Sequence, residues 1–280
     1  MNQNLLPEQI SANLGPILKT TRLHGGDINS VYHLKTADND LVLKTNDSPL
    51  PGMFEAEAKG LDLLRDGGLP VPKVIDFGTE FLLLEYLPAG KHDPENAGHR
   101  LGKLHAKRVS TPGLDHDNYI GILPQSNKNP ENLNWANFYI EHRIRAQLRL
   151  LQKSRGLAAT EIKFWDGWIS KLETYLTKDV PLALLHGDLW SGNLYYAQSG
   201  AFFIDCAVYN GDPYVDLAMT TLFGRFPSSF YEAYKEIHSM QDFHIFEQIY
   251  HVYPLLVHAN LFGGSYYHSA RECAARSLHV

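Results

Sequence analysis

Apolar and polar positions first alternate along this chain and then recur at helical spacing, which divides it into a strand-rich beginning and a helix-rich remainder. Val31 to Leu34 and Leu41 to Thr45 flank an Asp38-Asn39-Asp40 turn, and their composition predicts paired strands of a sheet. Lys44 follows Val42 and Leu43, as a lysine projecting from a strand into a cleft would. The apolar spacing then lengthens to three and four. Phe54, Ala58, Leu61 and Leu64 predict a helix over about 54 to 65 that Gly67-Gly68 stops. The prolines of 69 to 78 disfavour helix and lead into a strand, Phe81 to Leu84 forms a second, and 85 to 90 reads as a crossover.

Beyond the crossover the helical period dominates. Ala97, Leu101, Leu104 and Ala106 mark one helix, and Ile162, Trp165, Ile169, Leu172 and Leu176 a clearer one over 160 to 176. Between them, the passage from Asp117 opens with so many Asn, Pro and Gly that it reads as a long surface loop. A helix follows through Trp135, Phe138, Tyr139 and Ile144, its Arg143, Arg145 and Arg149 read as a solvated basic face. Near the end, 228 to 237 and 243 to 262 predict helices, the latter interrupted near Pro254. The pattern as a whole predicts an α+β protein.

Its 280 residues exceed what one core usually organises, so two lobes with a cleft between them are expected. Hydrophobic residues at 44% and charged residues at 20% describe an ordinary globular chain. A net charge of -6 gives no electrostatic reason to expect nucleic acid or an anionic membrane as partner. Two cysteines imply no disulfide framework. Without a signal peptide or an apolar run of membrane-spanning length, a cytoplasmic location is expected. The histidines lack the spacing of a metal site.

The chemistry concentrates in HGDLWSGN, residues 186 to 193, and in the Ala201 to Ile204 strand that ends at Asp205. An apolar run, Leu182 to Leu185, delivers this segment into a turn. Asp188, Asn193 and Asp205 can then converge at the mouth of a hairpin. Each alone would be an ordinary turn former, but together they suit phosphoryl transfer. A hydroxyl attacking a terminal phosphate needs a carboxylate to orient it and take its proton, which is the task expected of Asp188. Magnesium takes hard oxygen ligands and is held by one or two protein groups plus nucleotide phosphates, which suits Asn193 and Asp205. Gly25, Gly26 and Ser30 belong to a candidate flexible loop that lies over something, with Lys44 on a later strand. After the hairpin, Asp216 at a helix start reads as a structural anchor, and Asp212 in the Gly211-Asp212-Pro213 turn could face a cationic substrate.

This stretch resembles the aminoglycoside phosphotransferase and choline kinase superfamily, in its HxDxxxxN loop and the IDxA-type strand after it. HGDLWSGN with its tryptophan, the DNYIG...PQxN...W passage from Asp117 and the run YHVYPLLVHANLFGG resemble, more narrowly, the fructosamine kinases. The resemblance implies a bilobal protein-kinase-like fold, with a small β-rich nucleotide lobe over 1–87 and a larger, mainly helical catalytic lobe over 88–280. It implies that the loop with Gly25, Gly26 and Ser30 lies over the phosphates of ATP, that Glu57 holds Lys44 against them and that adenine meets backbone groups of Glu85 and Leu87. It places Trp190 and His258 at the sugar, with Asn118 and Tyr119 in the passage that shapes the acceptor pocket. The implied reaction is ATP- and magnesium-dependent phosphorylation of a sugar hydroxyl, the 3-hydroxyl of a free or protein-bound ketosamine, by a protein expected to be a monomer. The same residues could serve another acceptor, such as an aminoglycoside, choline or a free sugar. A nucleotide-binding regulatory module is the remaining reading, and the complete set of catalytic residues argues against it.

Overall fold

In the computed structural model, which describes residues 14–23, 29–176 and 180–278, the first part of the chain is a five-stranded antiparallel sheet. Its strands are β1 (Lys19–Arg22), β2 (Ser30–Lys35), β3 (Asp40–Thr45), β4 (Val74–Phe77) and β5 (Phe81–Glu85), in the order β1-β2-β3-β5-β4. Alternation along the strands separates two faces. Leu34, Leu41, Leu43, Phe81 and Leu83 form a small cluster on one face. Leu82 and Leu84 join the main core on the other, with the helix α1 (Met53–Asp66). Lys44 shares the parity of Val42, so its side chain leaves β3 on the α1 side. Phe54, Ala58, Leu61 and Leu64 are the buried stripe of α1, as their spacing predicts.

The chain leaves β5 along a segment tied to a hairpin of the second half, β10 (Leu194–Ala197) and β11 (Gly200–Phe203). Gly90 N–H donates to Tyr196 O at 2.8 Å, Gln198 N–H to Pro88 O at 2.9 Å, and the Tyr195 hydroxyl to Leu87 O at 3.0 Å. The helix α2 (Pro94–His105) follows, with Asp93 accepting from Asn96 N–H at its start and Pro94 as its first residue.

Three expectations fail in the helical part. The passage after Asp117 is not a surface loop: β7 (Asn118–Ile120) and β8 (Leu123–Gln125) form a hairpin, and Asn118, Gln125 and Asn127 are buried. The basic face is also wrong for Arg143. The helix that starts at α3 (Trp135–Tyr139) widens to a π-helical stretch over Ile140–Arg145 before α4 (Ala146–Arg155). That stretch carries Arg143 inward, fully buried, with its guanidinium 3.9 Å from the centre of the Tyr209 ring. Finally, Pro254 does not interrupt its helix. The helix α8 (Phe243–Phe262) runs through it, because Val252 to Val257 are all buried and their packing outweighs the lost hydrogen bond.

The remaining elements are α5 (Ala159–Tyr175), the short strands β6 (Arg108–Val109), β9 (Leu182–Leu185) and β12 (Tyr209–Gly211), and the helices α6 (Tyr214–Leu222), α7 (Ser228–Lys235) and α9 (Tyr266–Ser277). Trp165 and Trp168 of α5 are core residues. Among the described residues, no helix is long and apolar enough to cross a membrane.

Candidate functional site

The turn at 186 to 188 is held from below. The backbone N–H groups of His186 and Gly187 donate to the two carboxylate oxygens of Asp216, at 2.7 and 2.9 Å. Asp216 lies in the first turn of α6, fully buried, and also meets His105 Nε2 at 3.3 Å. Burial works against its charge, but these donors win and hold the carboxyl below its ordinary range. The other His105 nitrogen contacts the Tyr234 hydroxyl at 2.9 Å. Gly187 has φ of 84°, and a Cβ there would come within 2.0 Å of Ala207 O, so only glycine fits.

His186 is tied to the following strand. Its Nε2 faces Ile204 O at 2.9 Å and its Nδ1 faces Asp188 N–H at 3.3 Å. A carbonyl only accepts and a backbone N–H only donates, so the proton sits on Nε2. Burial keeps this ring below the ordinary histidine range.

Above that turn the candidate groups converge. Asn193 Nδ2 donates to Asp188 O at 2.8 Å and to Asp188 Oδ2 at 3.1 Å. Burial, and after it the charge of Asp205, push the Asp188 carboxyl up to about 7. Asp205 sits in the left-handed region, with φ of 56°, a conformation that Asp tolerates better than most residues. Lys44, only 7% exposed, reaches Glu57 Oε1 at 2.5 Å and also contacts Asp205 Oδ1. Burial opposes the ammonium charge, but the two carboxylates hold Lys44 above the ordinary lysine range.

These groups line a cleft of about 980 Å³. Glu85, Leu87, Asn118, Tyr119, Trp190 and His258 line it too. Gly25 and Gly26 lie outside the described residues, whereas Ser30 pairs with Thr45 at the start of β2 and is not in the lining. Asp212 does not face the cleft. It is buried beneath it, accepting from the Tyr250 hydroxyl at 2.5 Å and from Tyr214 N–H at 2.9 Å, and burial pushes its carboxyl up to about 6. Asn118 borders the cleft with its amide turned away. Its Nδ2 donates to Val208 O, and its Oδ1 accepts from Gln125 and Asn127. The Tyr119 hydroxyl donates to Pro51 O at 2.7 Å.

Sequence reasoning missed two groups of residues. One is the support under Ala207 and Val208, where Gln125 donates to Ala207 O and accepts from Tyr253, and Arg143 donates to Ser126 O and Asn127 Oδ1. The other is an aromatic part of the cleft lining, Phe223, Phe262 and Tyr266. Phe262 lies one helical turn beyond His258, and that i, i+4 spacing is the signal that could have found it.

The donor set at the cleft suits magnesium. Asp205 supplies a carboxylate and Asn193 a carboxamide oxygen that accepts no hydrogen bond among the described residues, two hard ligands that leave room for phosphates and water. Among the described residues there is no cluster of three or more His, Cys, Asp or Glu side chains that could hold a metal by itself.

Solved structures share this architecture. An ADP-bound aminoglycoside phosphotransferase superposes with a TM-score of 0.64 at 13% identity, over 97% of this chain and 98% of its own. A candidate fructosamine-3-kinase from Thermobifida fusca superposes with a TM-score of 0.88 at 30% identity, over the whole of both chains. The fold is that of the protein-kinase-like small-molecule phosphotransferases. Within that class, the family model described as fructosamine kinase matches residues 3–279. A probable ketoamine kinase of Vibrio parahaemolyticus is 37% identical over 91% of both chains. The probable ketoamine kinase YniA of Escherichia coli K12 is 34% identical over 98% of this chain and 97% of its own. The chain belongs to the fructosamine kinase family.

Proposed function

We propose that this protein transfers the terminal phosphate of ATP to the 3-hydroxyl of a ketosamine. The observation that carries the reading is the meeting of Asp188, Asn193 and Asp205 with the Lys44–Glu57 pair on one cleft. Asp188 orients the acceptor hydroxyl and takes its proton as the oxygen attacks phosphorus; the bond to the bridging oxygen breaks and ADP leaves. Its burial suits that task, because a carboxyl raised toward 7 accepts a proton more readily than an exposed one. Lys44, positioned by Glu57, grips the nucleotide phosphates. Asn193 and Asp205 would hold magnesium, which screens the phosphate charge when bound.

Residues 1–87 carry the nucleotide in this reading, and 88–280 the catalytic groups and the acceptor. Glu85 N–H is already bonded to Lys73 O and Leu87 O to the Tyr195 hydroxyl. Adenine contacts at those residues therefore fall to the Glu85 carbonyl and the Leu87 N–H. The acceptor is a free or protein-bound ketosamine and the working unit a monomer. The free Cys206 and Cys273 suit the reducing cytoplasm.

The test is magnesium-dependent ADP release with ATP and a panel of fructoselysine, ribuloselysine, free sugars, choline and aminoglycosides, with Asp188→Asn as control. Turnover confined to ketosamines and lost in the variant is the expected outcome. Turnover on another acceptor alone would discard the ketosamine, and ATP binding without turnover would discard the kinase.

A further inference from the structure

One part of the cleft lining is built of rings. Phe223 follows the last residue of α6, His258 and Phe262 stand one turn apart on α8, and Tyr266 opens α9. His258 lies 4.5 Å from Phe223, 5.1 Å from Tyr266 and 5.5 Å from Phe262, centre to centre. Phe262 is 53% exposed and Trp190, in the same lining, 38%. Aromatic groups so open, in the lining of a cleft, are surface left for a ligand. The Trp190 ring is folded over Gly192, where a Cβ would meet it at 2.4 Å, so its orientation depends on that glycine.

Charge is distributed unevenly along the same cleft. Among the described residues, its charged lining groups are Lys44, Glu57, Glu85, Asp188 and Asp205. Lys44 binds Glu57 and Asp205, and the Glu85 carboxylate accepts from Lys73 N–H. Among the described residues the lining beside the rings therefore has neither a lysine or arginine to pair with a carboxylate, nor an aspartate or glutamate of its own for several ammonium groups. The Arg155 guanidinium, outside the lining at the end of α8, donates to Ala259 O at 2.8 Å. His258 adds no charge: its Nδ1 faces Pro254 O at 2.8 Å, and burial holds it below the ordinary histidine range.

We propose that Phe223, Phe262 and Tyr266 seat the amine substituent of the acceptor, and that this seat selects by charge, favouring one ammonium with no carboxylate beside it. The inference rests on the ketosamine reading above. Ring faces attract a cation electrostatically. A carboxylate next to that cation would meet the same faces with no partner and would lose its water.

Two ketosamines with the same ketose test this, one made from benzylamine and one from glycine. With the wild-type protein, kcat/KM is expected to be at least about tenfold higher for the benzyl compound: both carry the same ammonium, but the carboxylate of the glycine compound loses its water against the rings without a partner, a cost of that size. Phe262→Ala should raise KM for the benzyl compound about fivefold without moving KM for ATP. Phe262→Arg should raise kcat/KM for the glycine compound, a gain that damage to the fold cannot mimic. Equal turnover of both compounds, unaffected by either substitution, would overturn the seat and leave the kinase standing. No turnover of either compound would overturn the ketosamine reading and the seat with it.

Discussion

Two polar layers lie one above the other around the 186–205 hairpin, and they treat the same residue types in opposite ways. In the lower layer Asp216 accepts from two backbone N–H groups and contacts His105, and its carboxyl is held low. In the upper layer Asp188 accepts from a single side-chain amide, faces the charge of Asp205, and its carboxyl is raised. The lower layer is organised to satisfy its own groups; in the upper one Lys44, Glu57 and Asp205 pair with one another, while the Asp188 carboxylate has only the Asn193 amide and keeps capacity toward the cleft. A carboxylate that needs a partner is thereby kept ready for an incoming proton, on a base that needs none.

The sharpest way to break this comparison is Asp188→Asn. We expect kcat to fall by a factor of about 10² to 10⁴ while ATP binding and the unfolding midpoint stay close to wild type. Calorimetric ATP titration beside steady-state kinetics would check it, and full turnover would remove Asp188 from its proposed role. Asp216→Ala should act on stability first, costing about 3 kcal/mol because it strands the buried His186 N–H and the partly buried Gly187 N–H. Urea unfolding measures that, and a loss below about 1 kcal/mol would mean the lower layer is not what holds the turn.

Smaller effects sharpen the contrast. Arg143→Met keeps bulk over Tyr209 but removes the hydrogen bonds to Ser126 O and Asn127, and should cost about 2 kcal/mol. Amide exchange should then speed up in 118 to 127 before it does in α1; unchanged protection there would show that Arg143 only fills space. Asp212 predicts the smallest effect, one of pH. Its folded carboxyl titrates at about 6 against an ordinary 3.8, so between those values the folded state holds a proton that the unfolded state lacks. Stability from this group therefore rises as pH falls. The stability of wild type relative to Asp212→Asn should grow by about 1 to 1.5 kcal/mol from pH 7.5 to 5, and a constant difference would show that burial does not perturb Asp212.

Sequence reasoning reached the two layers unequally, and for a physical reason. Asp188, Asn193 and Asp205 stand at strand ends and turns, where a polar residue beside an apolar run is conspicuous, and the structure brings them together. Lys44 was legible from the parity of its strand. Asp216 was legible as an anchor at a helix start. The buried amides of Asn118, Gln125 and Asn127 were not, because periodicity registers apolar faces, and a core made of hydrogen bonds looks like a loop. Arg143 escaped for a related reason: a π-helical stretch shifts the helical register, so the spacing that assigned it to solvent no longer applied. Pro254 shows the opposite error, a strong local signal overruled by packing on every side.

The ties between the crossover and the β10–β11 hairpin have one more consequence. That hairpin is preceded by Asn193 and followed by Asp205, while the crossover begins at the residues proposed to meet adenine. Backbone bonds at Gly90 and Gln198, with Tyr195 on Leu87, make these one frame. The span from the base to the metal-binding end is then a fixed gauge, built before any nucleotide arrives, against which the length of the nucleotide is measured.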